Sequence, residues 1–113
     1  LTEALPEQGA WRAAAGWDGD TLAVWERETG RQVVVWRTIW DTSADAREFE
    51  NSLVTVVEQR YFPVRPIRPP RGIVGHWWET DAGTFHVCRT GRYLLFLQAP
   101  DVNTAVNVAS LVP

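Results

Sequence analysis

The chain has 113 residues, 45% of them hydrophobic and 22% charged, with 14 acidic against 11 basic side chains for a net charge of −3. That size and balance fit one globular domain with a single core and exclude a disordered or low-complexity chain. A mildly acidic chain offers no electrostatic footprint for nucleic acid, whose binding needs clustered positive charge to displace counterions from phosphates, so no nucleic-acid partner is expected; no apolar run reaches the ~20 residues of a membrane span and no signal-peptide pattern opens the chain.

Pro6 to Ala15 reads as a short helix, with Pro6 at N1, Trp11, Ala14 and Ala15 on an apolar side, and Gly16 at C′. The run Gly16-Trp17-Asp18-Gly19-Asp20 is rich in residues that favour turns. A strand from Thr21 to Arg27 follows, alternating Leu22 and Val24 against Ala23 and Trp25. Thr29-Gly30 supplies a hairpin turn into a second strand, Arg31 to Trp40. There Val33, Val35 and Ile39 fall on one face and Val34, Trp36 and Trp40 on the other, which predicts a central strand covered on both sides.

Thr42 is placed as an N-cap, with Asp45 three residues on in a near relative of the capping box. The helix it opens runs from Ser43 to about Arg60, carrying Ala46, Phe49, Leu53, Val56 and Val57 at helical spacing. Arg60, Arg65, Arg68 and Arg71 then interleave with Pro63, Pro66, Pro69 and Pro70. This stretch, about residues 61–72, reads as a solvated, extended connector.

Beyond the connector, Ile73 to Glu79 reads as a strand that turns through Asp81-Ala82-Gly83 into a further hairpin. Thr84-Phe85-His86-Val87 echoes Thr21-Leu22-Ala23-Val24, and the Thr90-Gly91-Arg92 turn echoes Thr29-Gly30-Arg31. After the second strand come Asp101 and a helix carrying Ala105, as Asp41 and Ala46 follow the first hairpin. The prediction is an α+β domain: an antiparallel sheet of four or five strands, helices mainly on one face, and strand-strand-helix units at about residues 17–60 and 73–112.

Few residues offer chemistry. His76, His86 and Cys88 would share a sheet face if their hairpin register is even and separate if it is odd, so they are the weak candidates for a metal site that lacks a fourth ligand. Cys88 is the only cysteine, so no internal disulfide forms. No H-E-x-x-H, C-x-x-C or phosphate-cradling glycine loop occurs, and Ser43, Ser52 and Ser110 have no neighbouring histidine in sequence. Asp18, Asp20, Asp41 and Asp45 serve most simply as turn formers and helix caps. No catalytic residue, metal or cofactor is assigned. The seven tryptophans remain as binding material, and Trp77-Trp78 must point to opposite faces of their strand.

Gly16-Trp17-Asp18-Gly19-Asp20, Val34-Val35-Trp36-Arg37-Thr38 and the series Trp40-Asp41-Thr42, Asp45-Ala46, Glu48-Phe49 resemble the C-terminal region of bacterial and archaeal zinc metallopeptidase-like proteins. Those carry an Ala-Ala-x-Gly-Trp-x-Gly-Asp-Arg stretch and a Trp-Asp-x-x-x-Asp-Ala-x-Glu-Phe helix start; Thr21 stands where they usually have arginine. The match is ordered over about residues 12 to 50. In that family the H-E-x-x-H helix lies upstream. The resemblance implies a non-catalytic accessory or regulatory domain, a C-terminal fragment of a larger peptidase-like protein, contacting the upstream domain or another protein and placed outside the cytoplasm. The absence of methionine anywhere in the chain fits a processed product. The alternative from a different class is a small-ligand, peptide or glycan binding module whose groove uses Trp17, Arg37, Trp40, Trp77 or Trp78.

Overall fold

A computed structural model describes residues 21–26 and 32–111; the expected Pro6–Ala15 helix, the Gly16–Asp20 turn and the Thr29-Gly30 turn lie outside those residues. Within them the elements run β1 (Thr21–Glu26), β2 (Gln32–Ile39), α1 (Ser43–Arg60), β3 (Val64–Pro66), a 3₁₀ turn (Pro70–Gly72), β4 (His76–Thr80), β5 (Gly83–Thr90), β6 (Tyr93–Ala99) and α2 (Val102–Leu111). All pair antiparallel in one sheet, ordered β1-β2-β6-β5-β4-β3. The α+β class is as expected, with six strands described.

The additional strand is β3, which forms inside the Pro/Arg connector. Pro66 lacks the N–H that a central strand would need, and an edge position tolerates that loss. Arg65 reaches across to Glu79 at 2.9 Å, an exposed pair that pins the short edge without contributing much stability.

Helix α1 starts where its cap predicts. Thr42 is extended (φ −136°, ψ 160°) and its Oγ1 accepts a 3.0 Å hydrogen bond from the Asp45 backbone N–H. The buried stripe is Ala46, Leu53 and Val57; Val56, also expected on it, is 52% exposed because it falls outside the arc that these three define.

The sheet separates two cores. Side chains alternate along each strand and stay in register across it, so Val35, Leu97, His86 and Trp77 form one row on one face. There they meet Ala105, Val106 and Val108 of α2. Trp78, Phe85, Val87 and Leu94 point the other way and pack with Leu53 and Val57 of α1. The helices therefore cover opposite faces, which corrects the expectation of one covered face. The physical reason is that β4, β5 and β6 bury apolar side chains on both sides, and each side needs its own cover.

The units β1-β2-α1 and β5-β6-α2 share the predicted order of elements. Passing from the first to the second reverses position about the β2–β6 seam, strand direction and covered face together. Those reversals amount to an inversion, which no rotation performs. The two units have opposite hand and do not superimpose.

Candidate functional site

On the face covered by α2, the helix lies over the row of Val35 and Leu97. The neighbouring row, Arg37, Leu95 and Cys88, lines an open groove of about 470 Å³. Ile73 and Ala109 of α2 line it from outside the sheet, and Thr90 and Tyr93 lie where β5 and β6 meet at their turn. Its volume falls within the range of small-molecule sites, although it is open to solvent along one side.

His86 lines the groove and is 1% exposed. Its ring stacks on Trp77 with centroids 3.9 Å apart, and its Nδ1 lies 3.1 Å from the His76 carbonyl. A carbonyl only accepts, so Nδ1 carries the proton and the ring is the neutral Nδ1–H tautomer. Burial pushes the pKa down to about 4, outweighing the opposite influence of the hydrogen bond to His76. Gly75 makes room for the ring: with φ +129°, a Cβ built there would stand 2.8 Å from His86 Cε1 and 2.8 Å from the Val87 carbonyl oxygen. Trp77 itself is held by a 2.8 Å hydrogen bond from its indole N–H to the Ile73 carbonyl.

Cys88 is a free thiol, and burial raises its pKa against the lowering influence of a hydrogen bond with Thr90. Both titratable groups deep in the groove are thus neutral at pH 7. Arg37 is the exception. It is partly buried, permanently charged, and among the described residues no carboxylate pairs with it. The partly buried carboxylate of Glu50 sits on the opposite face, where it takes Arg89 Nε at 3.0 Å and His76 Nε2 at 3.4 Å.

The residues expected from sequence are scattered by this geometry. Trp17 lies outside the described residues. Arg37 lines the groove, whereas Trp40 joins Trp36 and Phe49 on the α1 side. Phe49 stands edge-on to Trp36 at 5.5 Å and tilted on Trp40 at 4.8 Å, and the Trp40 indole N–H donates to Thr38 at 2.8 Å. These rings fasten the start of α1 to β2. Trp77 and Trp78 are each 2% exposed, so neither offers a surface, which corrects their proposed role in direct contact.

The β4–β5 register is odd in the sense that matters: Trp77, not His76, stands opposite His86. His76 therefore projects to the other face, stacked on Trp78 at 5.6 Å, and is separated from His86 and Cys88. Among the described residues no group of three His, Cys, Asp or Glu side chains could hold a metal ion. Ser110 donates to the Val106 carbonyl inside α2, as a helix residue does. Sequence reasoning missed Ile73, Leu95, Tyr93 and Ala109, because their convergence depends on the β2–β6 pairing and on which face α2 takes.

The chain belongs to the family described as Domain of unknown function (DUF8575), whose model matches residues 3–109. No curated protein and no solved structure matches it. Neither the family nor the fold ties the chain to a zinc peptidase, a cellular location or a partner.

Proposed function

We propose that this DUF8575 domain is a ligand-binding module that takes a small organic molecule into the groove beside α2. The observation that carries the reading is the groove itself: an end of the sheet face left open among the described residues, apolar along Ile73, Leu95 and Ala109, with polar groups from Arg37, Thr90 and Tyr93. Mixed lining of this kind gives affinity through apolar burial and orientation through a few fixed polar contacts. The tryptophans support it from beneath, since Trp77 fixes the ring of His86.

Ligand-observed NMR against small acids, alcohols, amines, sugars and short peptides tests this. At least one class should bind saturably, and Thr90→Trp, an exposed substitution at the lining, should weaken it while leaving the thermal unfolding curve in place. A screen with no saturable binder, or binding that is indifferent to both Thr90→Trp and Ala109→Trp, refutes the reading.

A further inference from the structure

The geometry points to the chemical class of that ligand: we infer that the groove takes a monocarboxylate with an apolar body, its carboxylate on the Arg37 guanidinium and its body along Leu95, Ile73 and Ala109. This rests on the ligand-binding reading above. Three observations converge on it. Arg37 stands in register with Leu95 and Cys88, so its cation opens onto a lining that is apolar or neutral. His86 and Cys88 both carry no charge at pH 7, burial holding the imidazole unprotonated and the thiol protonated. Glu50 lies on the other face, engaged by Arg89 and His76, and Glu79 on β4 is engaged by Arg65.

A guanidinium that is partly withdrawn from water and has no carboxylate partner among the described residues is well satisfied by an incoming anion, and its fork suits a carboxylate in bidentate geometry. One formal charge among neutral walls selects a monoanion, because a dianion would leave one charge uncompensated in a confined space. The chain is acidic overall, with a net charge of −3, so the cation is local and does not belong to a broad basic surface. Thr90 and Tyr93, both at the rim and both exposed, add hydroxyl groups to the lining.

The test is calorimetric or NMR titration of the full chain with octanoate, octanol and octylamine, on the wild type, Arg37→Gln and Arg37→Lys. Octanoate should bind about tenfold or more tightly than octanol, the value of one charge-assisted contact in a partly desolvated site. Arg37→Gln should erase that ratio, and Arg37→Lys should keep part of it. Equal binding of octanoate and octanol to the wild type overturns the carboxylate inference but leaves the groove a ligand site. Preference for octylamine, or an octanoate preference that survives Arg37→Gln, also overturns it. Binding of none of the three overturns it whatever the broader screen finds, and an empty broader screen removes the ligand-binding reading as well. Arg37 pairs with no carboxylate among the described residues, so its replacement should leave the unfolding curve in place, and that measurement separates lost binding from lost fold.

Discussion

Acid should unfold this domain through His86. The ring is 1% exposed and its pKa falls from an ordinary 6.5 to about 4, chiefly by burial. Below pH 6.5 the unfolded chain takes up a proton that the folded chain refuses, so stability drops with each unit of pH until about 4, where the folded ring is protonated too. The stabilisation is complete above pH 6.5 and lost below about 4. At 1.36 kcal/mol per unit the shift corresponds to about 3 kcal/mol, or roughly 10 °C or more in Tm for a domain of this size. Urea unfolding of the wild type and of His86→Phe, at intervals from pH 7.5 to 4, reads it directly. Phe keeps an aromatic ring against Trp77 but cannot titrate. It also leaves the His76 carbonyl without its donor, a pH-independent cost of about 1–2 kcal/mol. The wild type, more stable than His86→Phe by about 1–2 kcal/mol at pH 7.5, should therefore lose about 3 kcal/mol relative to it and become the less stable of the two by pH 4, because only the wild type loses the His86 contribution. Groups common to both proteins cancel to first order. Parallel pH profiles, or an NMR titration placing the His86 midpoint near 6.5, would refute the burial argument.

Gly75→Ala should destabilise the fold by about 3 kcal/mol in chemical denaturation, since it combines a disallowed φ with contacts on His86 and the Val87 carbonyl; Gly72→Ala, also at positive φ but in open space, should cost about 1 kcal/mol. For the Glu50–Arg89 pair, a double-mutant cycle of Glu50→Gln and Arg89→Gln should give a coupling of about 1 kcal/mol, because both groups are mostly covered and 3.0 Å apart; a coupling of zero would mean the pair is solvated. Thr42→Ala should remove the cap of α1 and lower stability by about 1 kcal/mol, with Thr42→Ser largely restoring it. Cys88 should react slowly with a disulfide reagent at pH 7, faster as pH rises, and more slowly still when octanoate fills the groove.

Local rules made much of the fold legible. Thr42 and Asp45 marked the start of α1, and the Ser43 to Arg60 span followed from its apolar spacing. The Thr90-Gly91-Arg92 turn placed the last hairpin, and the Trp77-Trp78 pair required two faces wherever that strand lay. What escaped was nonlocal. Whether His86 faces His76 or Trp77 depends on a one-residue choice of register, and that choice decides between a shared histidine face and a stacked core ring. The face chosen by α2 is likewise set by the empty side of a sheet that α1 has already covered. Arg37 was singled out with Trp40, yet the two lie on different sides, because the alternation that carries Trp36 towards Phe49 carries Arg37 into the groove.

That division explains why a groove exists at all. Helix α1 has 18 residues and closes its face with Phe49, Leu53, Val57 and the rings they meet. Helix α2 has only 10, with Ala105 and Ala109 bringing it close to the strands over a short length. A helix rises 1.5 Å per residue and a strand about 3.3 Å, so ten helical residues span little more than four or five strand residues. Strands β5 and β6 have 8 and 7 residues, and among the described residues the last rows, those of Arg37 and Tyr93, line the open groove beside the end of α2. Rows left open among the described residues and filled with valine would be an exposed apolar strip; here they hold one cation, a thiol and two hydroxyl-bearing side chains beside Leu95. The mismatch in length creates the space, and the residues facing it determine what can enter. Lengthening α2 by one turn of leucine-rich helix should therefore raise stability and abolish octanoate binding together, measured by urea unfolding and titration on the same protein. If stability rises while binding persists, the ligand does not sit beneath the end of that helix.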